Sequence, residues 1–102
     1  MQDIVKLSKI FSDINRVKIV ALILRDKEVC VCEICDTLQL SQPLVSRHLK
    51  QMKAADILCV EKRGKWMLYS LIKTPHPLLA CWSEEIKKHI KELPQLVVCE
   101  TK

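Results

Sequence analysis

The apolar positions of this chain keep one spacing for about half its length, change to another, and then return to the first. Ile4, Leu7 and Phe11 stand three and four residues apart, the repeat of one helical face, and predict a first helix over residues 3–12. Val17, Val20, Ala21 and Leu24 repeat the pattern and predict a second helix beginning near Asn15, whose side chain suits an N-cap. Arg25-Asp26-Lys27-Glu28 interrupts the apolar repeat and reads as a loop. Val31, Ile34 and Leu38 then line one face of a short third helix over residues 31–39. After a turn at Leu40-Ser41, Ser41 is a good N-cap, and Pro43 falls in the first turn, where its missing N–H is no loss. The fourth helix extends to about residue 55 with Val45, Leu49 and Met52 turned inward, which leaves Gln42, Ser46, Arg47 and Lys50 outside.

From Ile57 the period drops to two. Leu58 and Val60 alternate with Cys59 and Glu61, and a second run, Trp66-Met67-Leu68-Tyr69-Ser70-Leu71, is β-prone by its aromatics although it alternates less cleanly. The single glycine, Gly64, lies between the runs, where a hairpin tip needs it, flanked by Lys62, Arg63 and Lys65. Two helices joined by a tight turn and followed by a basic-tipped hairpin predict a winged helix-turn-helix, mainly α with a small β-hairpin. Thr74-Pro75-His76-Pro77 ends the hairpin, and a last helix over residues 78–93 carries Leu79, Trp82, Ile86, Ile90 and Leu93 as a regular stripe. Four helices and a hairpin already serve the core of so small a domain, so the stripe, with part of the first helix, is assigned to a dimer contact. Residues 1–93 form one DNA-binding and dimerisation domain, and residues 94–102, after Pro94, are expected to be a loose tail.

Composition narrows the function. A chain of 102 residues is one domain that buries a limited share of its surface, which favours a homodimer. Its net charge of +5 inclines it toward a polyanion. The N-terminus has scattered charges and no apolar run of a signal peptide, and no segment approaches the ~20 apolar residues that cross a bilayer. A cytoplasmic protein with no membrane partner is expected. The outer face of the fourth helix suits double-stranded DNA: Arg47 can reach guanine and Gln42 adenine, and Ser46 a base or a phosphate. Ser41 at the helix start joins this face, and Lys50, Lys62, Arg63 and Lys65 fit phosphates, which give affinity rather than sequence choice. Lys53 and the Lys87-Lys88 pair read as ordinary solvated charge, and His48 as a packed, hydrogen-bonded histidine. No carboxylate pair, nucleophile–base set or phosphate loop points to catalysis, so neither enzymatic activity nor an organic cofactor is expected.

Six cysteines in a chain placed in a reducing compartment point to metal binding or reactivity rather than to disulfides. Cys30, Cys32 and Cys35 crowd into six residues directly before the fourth helix. On a regular helix Cys32 and Cys35 are about 60° apart, but Cys30 and Cys32 about 160°. Sulfurs around one ion must lie within roughly 4 Å of one another. Either Cys30 precedes the helix and folds back, or the first turn unwinds when a ligand binds. Three thiolates suit a soft, three-coordinate ion better than structural zinc. Cys59 and Cys81 are expected to act as small core hydrophobes, and Cys99 as an idle thiol in the tail. Cys32-Glu-Ile-Cys35 is also a C-x-x-C, but thioredoxin-like chemistry needs a βαβ setting that is absent.

Val-Cys-Val-Cys-Glu-Ile-Cys-Asp, followed by Leu-Ser-Gln-Pro-Leu-Val-Ser-Arg-His-Leu-Lys and Lys-Arg-Gly-Lys-Trp-Met-Leu-Tyr, closely resembles the arsenic-responsive repressors of the ArsR/SmtB type. The resemblance implies a dimeric winged-helix repressor that sits on an inverted-repeat operator and leaves it when As(III) or Sb(III) binds. By matching positions, it implies that Gln42, Ser46 and Arg47 face bases and that Cys30, Cys32 and Cys35 hold the inducer. Relatives that bind zinc through the last helix use paired Asp/His and His/Glu positions. Here His76 and His89 are thirteen apart without those partners, and that site is not carried over. A zinc-, cadmium- or oxidant-sensing regulator, and a small thiol oxidoreductase, are the competing readings.

Overall fold

Side chains that accept backbone N–H groups set several of the helix starts in the computed structural model, which describes residues 1–73 and 75–98. Thr74 and Cys99 lie outside the described residues. Helix α1 spans Gln2–Ile10, and α2 spans Ile14–Asp26. The cap of α2 is Asp13 rather than Asn15: its carboxylate accepts the N–H groups of Asn15 (2.8 Å) and Arg16 (3.4 Å). Helix α3 is Val31–Leu38 and α4 is Gln42–Ala54, with Ser41 as the cap of α4, accepting from the Leu44 N–H. Gln39 makes the turn between them in the left-handed region (φ 55°), and Leu40 N–H returns to the Cys35 carbonyl at 3.0 Å.

Part of the expected loop before α3 is a strand. Residues Glu28–Cys30 form β1, which pairs antiparallel with β3 (Trp66–Leu71), as does β2 (Leu58–Arg63), giving the order β1-β3-β2. The register sets Cys30 opposite Leu68 and Glu28 opposite Ser70. The β2–β3 hairpin closes from Arg63 to Trp66 through Gly64, whose φ of +62° a side chain would resist.

Helix α2 is the centre of the core. Ile19, Val20, Ala21, Leu22 and Ile23 are buried consecutively, so this helix is covered on every side rather than on one face. Val29, Ile34, Val45, Leu49, Met52 and Ile57 belong to the same buried cluster. The remaining cover comes in part from α5 (Pro77–Lys87), which carries most of the stripe expected at a dimer contact. Leu79 and Ile86 are buried within the chain, Trp82 stacks on Phe11 with ring centroids 4.8 Å apart, and Ile90 and Leu93 pack partly against the same cluster. An all-round apolar α2 takes Leu79 and Ile86 from the stripe, while Trp82, Ile90 and Leu93 stay partly exposed. Exposed apolar side chains include Ile4 and Val5 of α1 and Ile14 at the start of α2, besides Met1, Met67, Val97 and Val98. Helix α5 also stops earlier than expected, at Lys87, and a single 3₁₀ turn at Ile90–Glu92 follows.

The described part of the tail is not loose. Arg25 Nη1 donates to the Pro94 carbonyl (2.8 Å), Val97 N–H donates to the buried Thr37 hydroxyl (2.9 Å), and Leu96 packs against the core. A buried hydroxyl on α3 needs such a partner. Among the described residues no helix is long and apolar enough to cross a membrane.

Candidate functional site

Burial of Val45, His48, Leu49 and Met52 fixes which way α4 faces. Ser41, Gln42, Ser46, Arg47 and Lys50 are all exposed, as are Gln51 and Lys53. Lys62, Arg63 and Lys65 are exposed at the hairpin tip. Two basic surfaces, one helical and one at a wing, are therefore open to solvent. The ordinary solvated reading holds for Lys87 and Lys88, which pair with Glu84 (3.1 Å) and Glu85 (3.2 Å).

Arg63 differs from its neighbours. Its guanidinium donates from both ends to the Glu28 carboxylate (3.1 and 3.3 Å) and also to Glu61 (3.1 Å). These carboxylates hold its pKa above the usual arginine value. A phosphate reaching Arg63 must compete with two carboxylates that the sequence reading did not connect to it. Lys65 lies over the ring of Trp66 at 5.8 Å.

Cys30 is the last residue of β1 and the N-cap of α3, with extended backbone (φ −94°, ψ 166°). The helical angle between Cys30 and Cys32 therefore does not apply, and their sulfurs stand 2.9 Å apart. Cys30 thus precedes the helix, as the first of the two routes open from the sequence requires. Glu33, fully buried, closes the cap by accepting the Cys30 N–H at 3.0 Å, so Cys30 occupies the place of the Ser or Thr of a capping box. Cys30, Cys32 and Cys35 line one cleft of about 510 Å³, whose other walls include Leu40 and Gln42 at the start of α4 and Lys65, Trp66 and Met67 from the wing. Among the described residues no three His, Cys, Asp or Glu side chains are already grouped to hold a metal ion, so the sulfurs share a cleft without forming a closed site.

Burial pushes the Cys30 thiol above its ordinary pKa, and the nearby Glu33 carboxylate adds to this. Burial likewise raises Cys35, helped by Asp36. A divalent cation binding there would have to displace their protons. Cys59 and Cys81, expected in the core, are exposed. Cys59 alternates with buried Leu58 on β2, and Cys81 lies off the α5 face that carries Leu79 and Ile86. His76 caps the start of α5 through Nδ1, and His89 pairs with Glu92 beyond its end, so the two do not share a site.

One set of residues was connected only by the structure. Arg16 joins α2 to both α1 and α4, donating to Gln51 Oε1, His48 Nδ1 and two α1 carbonyls. Of this set only His48 was legible in the sequence, as a packed, hydrogen-bonded histidine; nothing marked Arg16 or Gln51.

Comparison with known proteins agrees with this architecture. Residues 13–59 match the bacterial regulatory protein, arsR family. The chain is 38% identical over 87 residues to the arsenic resistance transcriptional regulator ArsR1 of Pseudomonas putida, covering 85% of this chain and 65% of that one. It is 39% identical over 82 residues to the arsenical resistance operon repressor of Escherichia coli, covering 80% and 67%. The chain thus spans about two thirds of the length of these curated relatives. Among solved structures, the transcriptional repressor PagR of Bacillus anthracis superposes with a TM-score of 0.69 at 28% identity, over 86% of this chain and 93% of that one. Sharing both this sequence and this fold, the chain belongs to the arsR family of bacterial regulatory proteins.

Proposed function

We propose that this protein is a cytoplasmic transcriptional repressor that binds an inverted-repeat operator as a homodimer and leaves it when trivalent arsenic or antimony takes the sulfurs of Cys30, Cys32 and Cys35. One observation carries the reading. The cleft that holds the three sulfurs is walled by Gln42 of α4 and by Lys65 and Trp66 of the wing, residues of the two elements that would touch DNA. Drawing Cys35 toward the Cys30–Cys32 pair shifts α3 against α4 and against β1, which is hydrogen-bonded to the wing strand β3. Ligand and DNA then favour different arrangements, and their coupling is reciprocal; ~1–3 kcal/mol changes operator affinity roughly 5- to 150-fold.

In this reading Gln42, Ser46 and Arg47 meet base edges, while Ser41, Lys50, Lys62 and Lys65 meet phosphates. Arg63 joins them only after releasing Glu28 and Glu61. The exposed Ile4 and Val5 of α1, with the partly exposed Trp82, Ile90 and Leu93, are the apolar surface on which a second copy would pack. Such a dimer would set two α4 helices about 34–36 Å apart, on successive major grooves. The arsenic relatives support the choice of inducer by their names.

The test is a fluorescence titration of labelled operator with the full chain, repeated with arsenite, antimonite, cadmium and zinc. Arsenite and antimonite should release the DNA, and a Cys32→Ser/Cys35→Ser double variant should bind DNA yet ignore both. Release by cadmium or zinc alone would overturn the choice of inducer. A second reading, an oxidant-sensing regulator, is favoured by the disulfide in which Cys32 takes part. It predicts release by peroxide that dithiothreitol reverses.

A further inference from the structure

We propose that Arg16 is a positioning residue for DNA recognition, holding the reading face of α4 in place by joining Gln51 and a neutral His48 to the carbonyl end of α1. This rests on the repressor reading and adds to it a determinant of specificity remote from the DNA surface.

The geometry is a hub. Arg16 Nε donates to the Ile10 carbonyl at 2.8 Å and Nη2 to the Lys9 carbonyl at 2.9 Å, so the guanidinium caps the last turn of α1. From the same plane Nη1 reaches Gln51 Oε1 at 2.8 Å and His48 Nδ1 at 3.3 Å, both on α4. Gln51 lies one turn from Arg47 on the exposed face, and His48 lies beside Arg47 on the buried side. The hub therefore grips α4 from two directions around the arginine expected to read guanine. A planar, always charged guanidinium fixes such an angle better than a lysine point charge does.

The hub also dictates the state of His48. Arginine only donates, so His48 Nδ1 must accept, which makes the ring neutral with its proton on Nε2. That nitrogen faces Asp13 Oδ1 at 4.0 Å, and the side chain is 5% exposed. A second proton would put an N–H on Nδ1 against the Arg16 N–H and set two cations side by side. The charged groups facing the ring are Asp13, which favours that proton, and Arg16 and Arg47, which oppose it. Burial, the largest influence, opposes it too, so the ring titrates below its ordinary 6.5. Acid therefore loosens α4 while leaving the charges of its outer face unchanged.

The experiment uses the full chain and two duplexes: the inverted repeat recovered by selecting random DNA on the protein, and an unrelated sequence of equal length. Affinities are measured by fluorescence anisotropy from pH 5 to 8. Wild type should lose preference for the selected duplex as pH falls below about 6.5, with nonspecific binding changed far less. His48→Gln should abolish that step, binding alike across the range. Gln51→Leu, at an exposed position that leaves folding intact, should cut the preference about fivefold, as loss of one hydrogen bond predicts. Arg16→Lys should cut it further at an unchanged far-UV circular dichroism spectrum. The proposal is overturned if the pH step persists in His48→Gln, or if Arg16→Lys and Gln51→Leu weaken both duplexes equally, as a purely structural role would. Failure of wild type to bind any duplex would overturn the repressor reading and this proposal together. Normal binding without the pH step would overturn this proposal alone.

Discussion

Replacing Leu79 with Ala separates a core role for α5 from an interface role. Leu79 is 1% exposed and lies in the cluster centred on α2. Removing it loses the transfer energy of a buried leucine and leaves a cavity, about 2–5 kcal/mol in total. Against a stability of ~5–15 kcal/mol for a domain, that is a large fraction. At about 4–8 °C per kcal/mol for a domain of this size, a 3 kcal/mol loss lowers the melting temperature by about 12–24 °C. The comparison is Ile4→Asp, at a side chain 57% exposed on α1, where the fold loses no core contact. Thermal melts followed by circular dichroism, with sedimentation equilibrium at 20 °C, decide the matter. Leu79→Ala should melt early while keeping the oligomeric mass of wild type below its transition. Ile4→Asp should keep its helix content and fall to monomer. A Leu79→Ala protein that is monomeric, fully helical and melts within a few degrees of wild type would refute the inward assignment of the stripe.

Arg47→Ala should relax sequence preference, whereas Lys65→Ala should weaken all duplexes alike and reduce the slope of log affinity against log salt by about one; matching behaviour of the two would contradict their separate roles. Glu28→Gln should release Arg63 toward phosphate and steepen that slope, and an unchanged slope would show that Arg63 stays with Glu61. Stability should fall in two acid ranges, measured by urea titration at successive pH values. The His48 contribution is fully present above its unfolded pKa of about 6.5 and is lost as pH falls through its lower folded value. For Asp13, burial raises the pKa, but the N–H groups of Asn15 and Arg16 with the charges of His48 and Arg16 bring it below 3.8 overall; its contribution is present above 3.8 and disappears below. In Asp13→Asn the lower step should vanish. Thr37→Val should free the Val97 N–H and speed proteolysis after residue 93 without unfolding the domain; cleavage at the wild-type rate would count against that tether.

Local chemistry was legible in the sequence. The helices of the helix-turn-helix followed from apolar spacing, the Ser41 cap from hydroxyl chemistry, and the wing from a change of period around a glycine with positive φ. Each is a property of a few neighbouring residues, so the chain states it directly. The exposed faces of α4 and the hairpin tip followed for the same reason.

What the tertiary structure alone decided were relations between distant segments. Spacing showed that the α5 stripe was apolar but could not say that Leu79 and Ile86 are covered within the chain; that depended on α2 being apolar all round, which a search for one face understates. Helical angles separated Cys30 from Cys32 because they assumed both were helical. Pairing of Cys30 with Leu68 ends a strand there and turns the sulfur back to 2.9 Å from its neighbour. The Arg63–Glu28 pair and the Arg16–Gln51 strut each span 35 residues, and no periodicity records a hydrogen bond of that reach. Periodicity tells a side chain which way to face, whereas its partner is settled only when the packed elements bring donors and acceptors within 3 Å or so of each other.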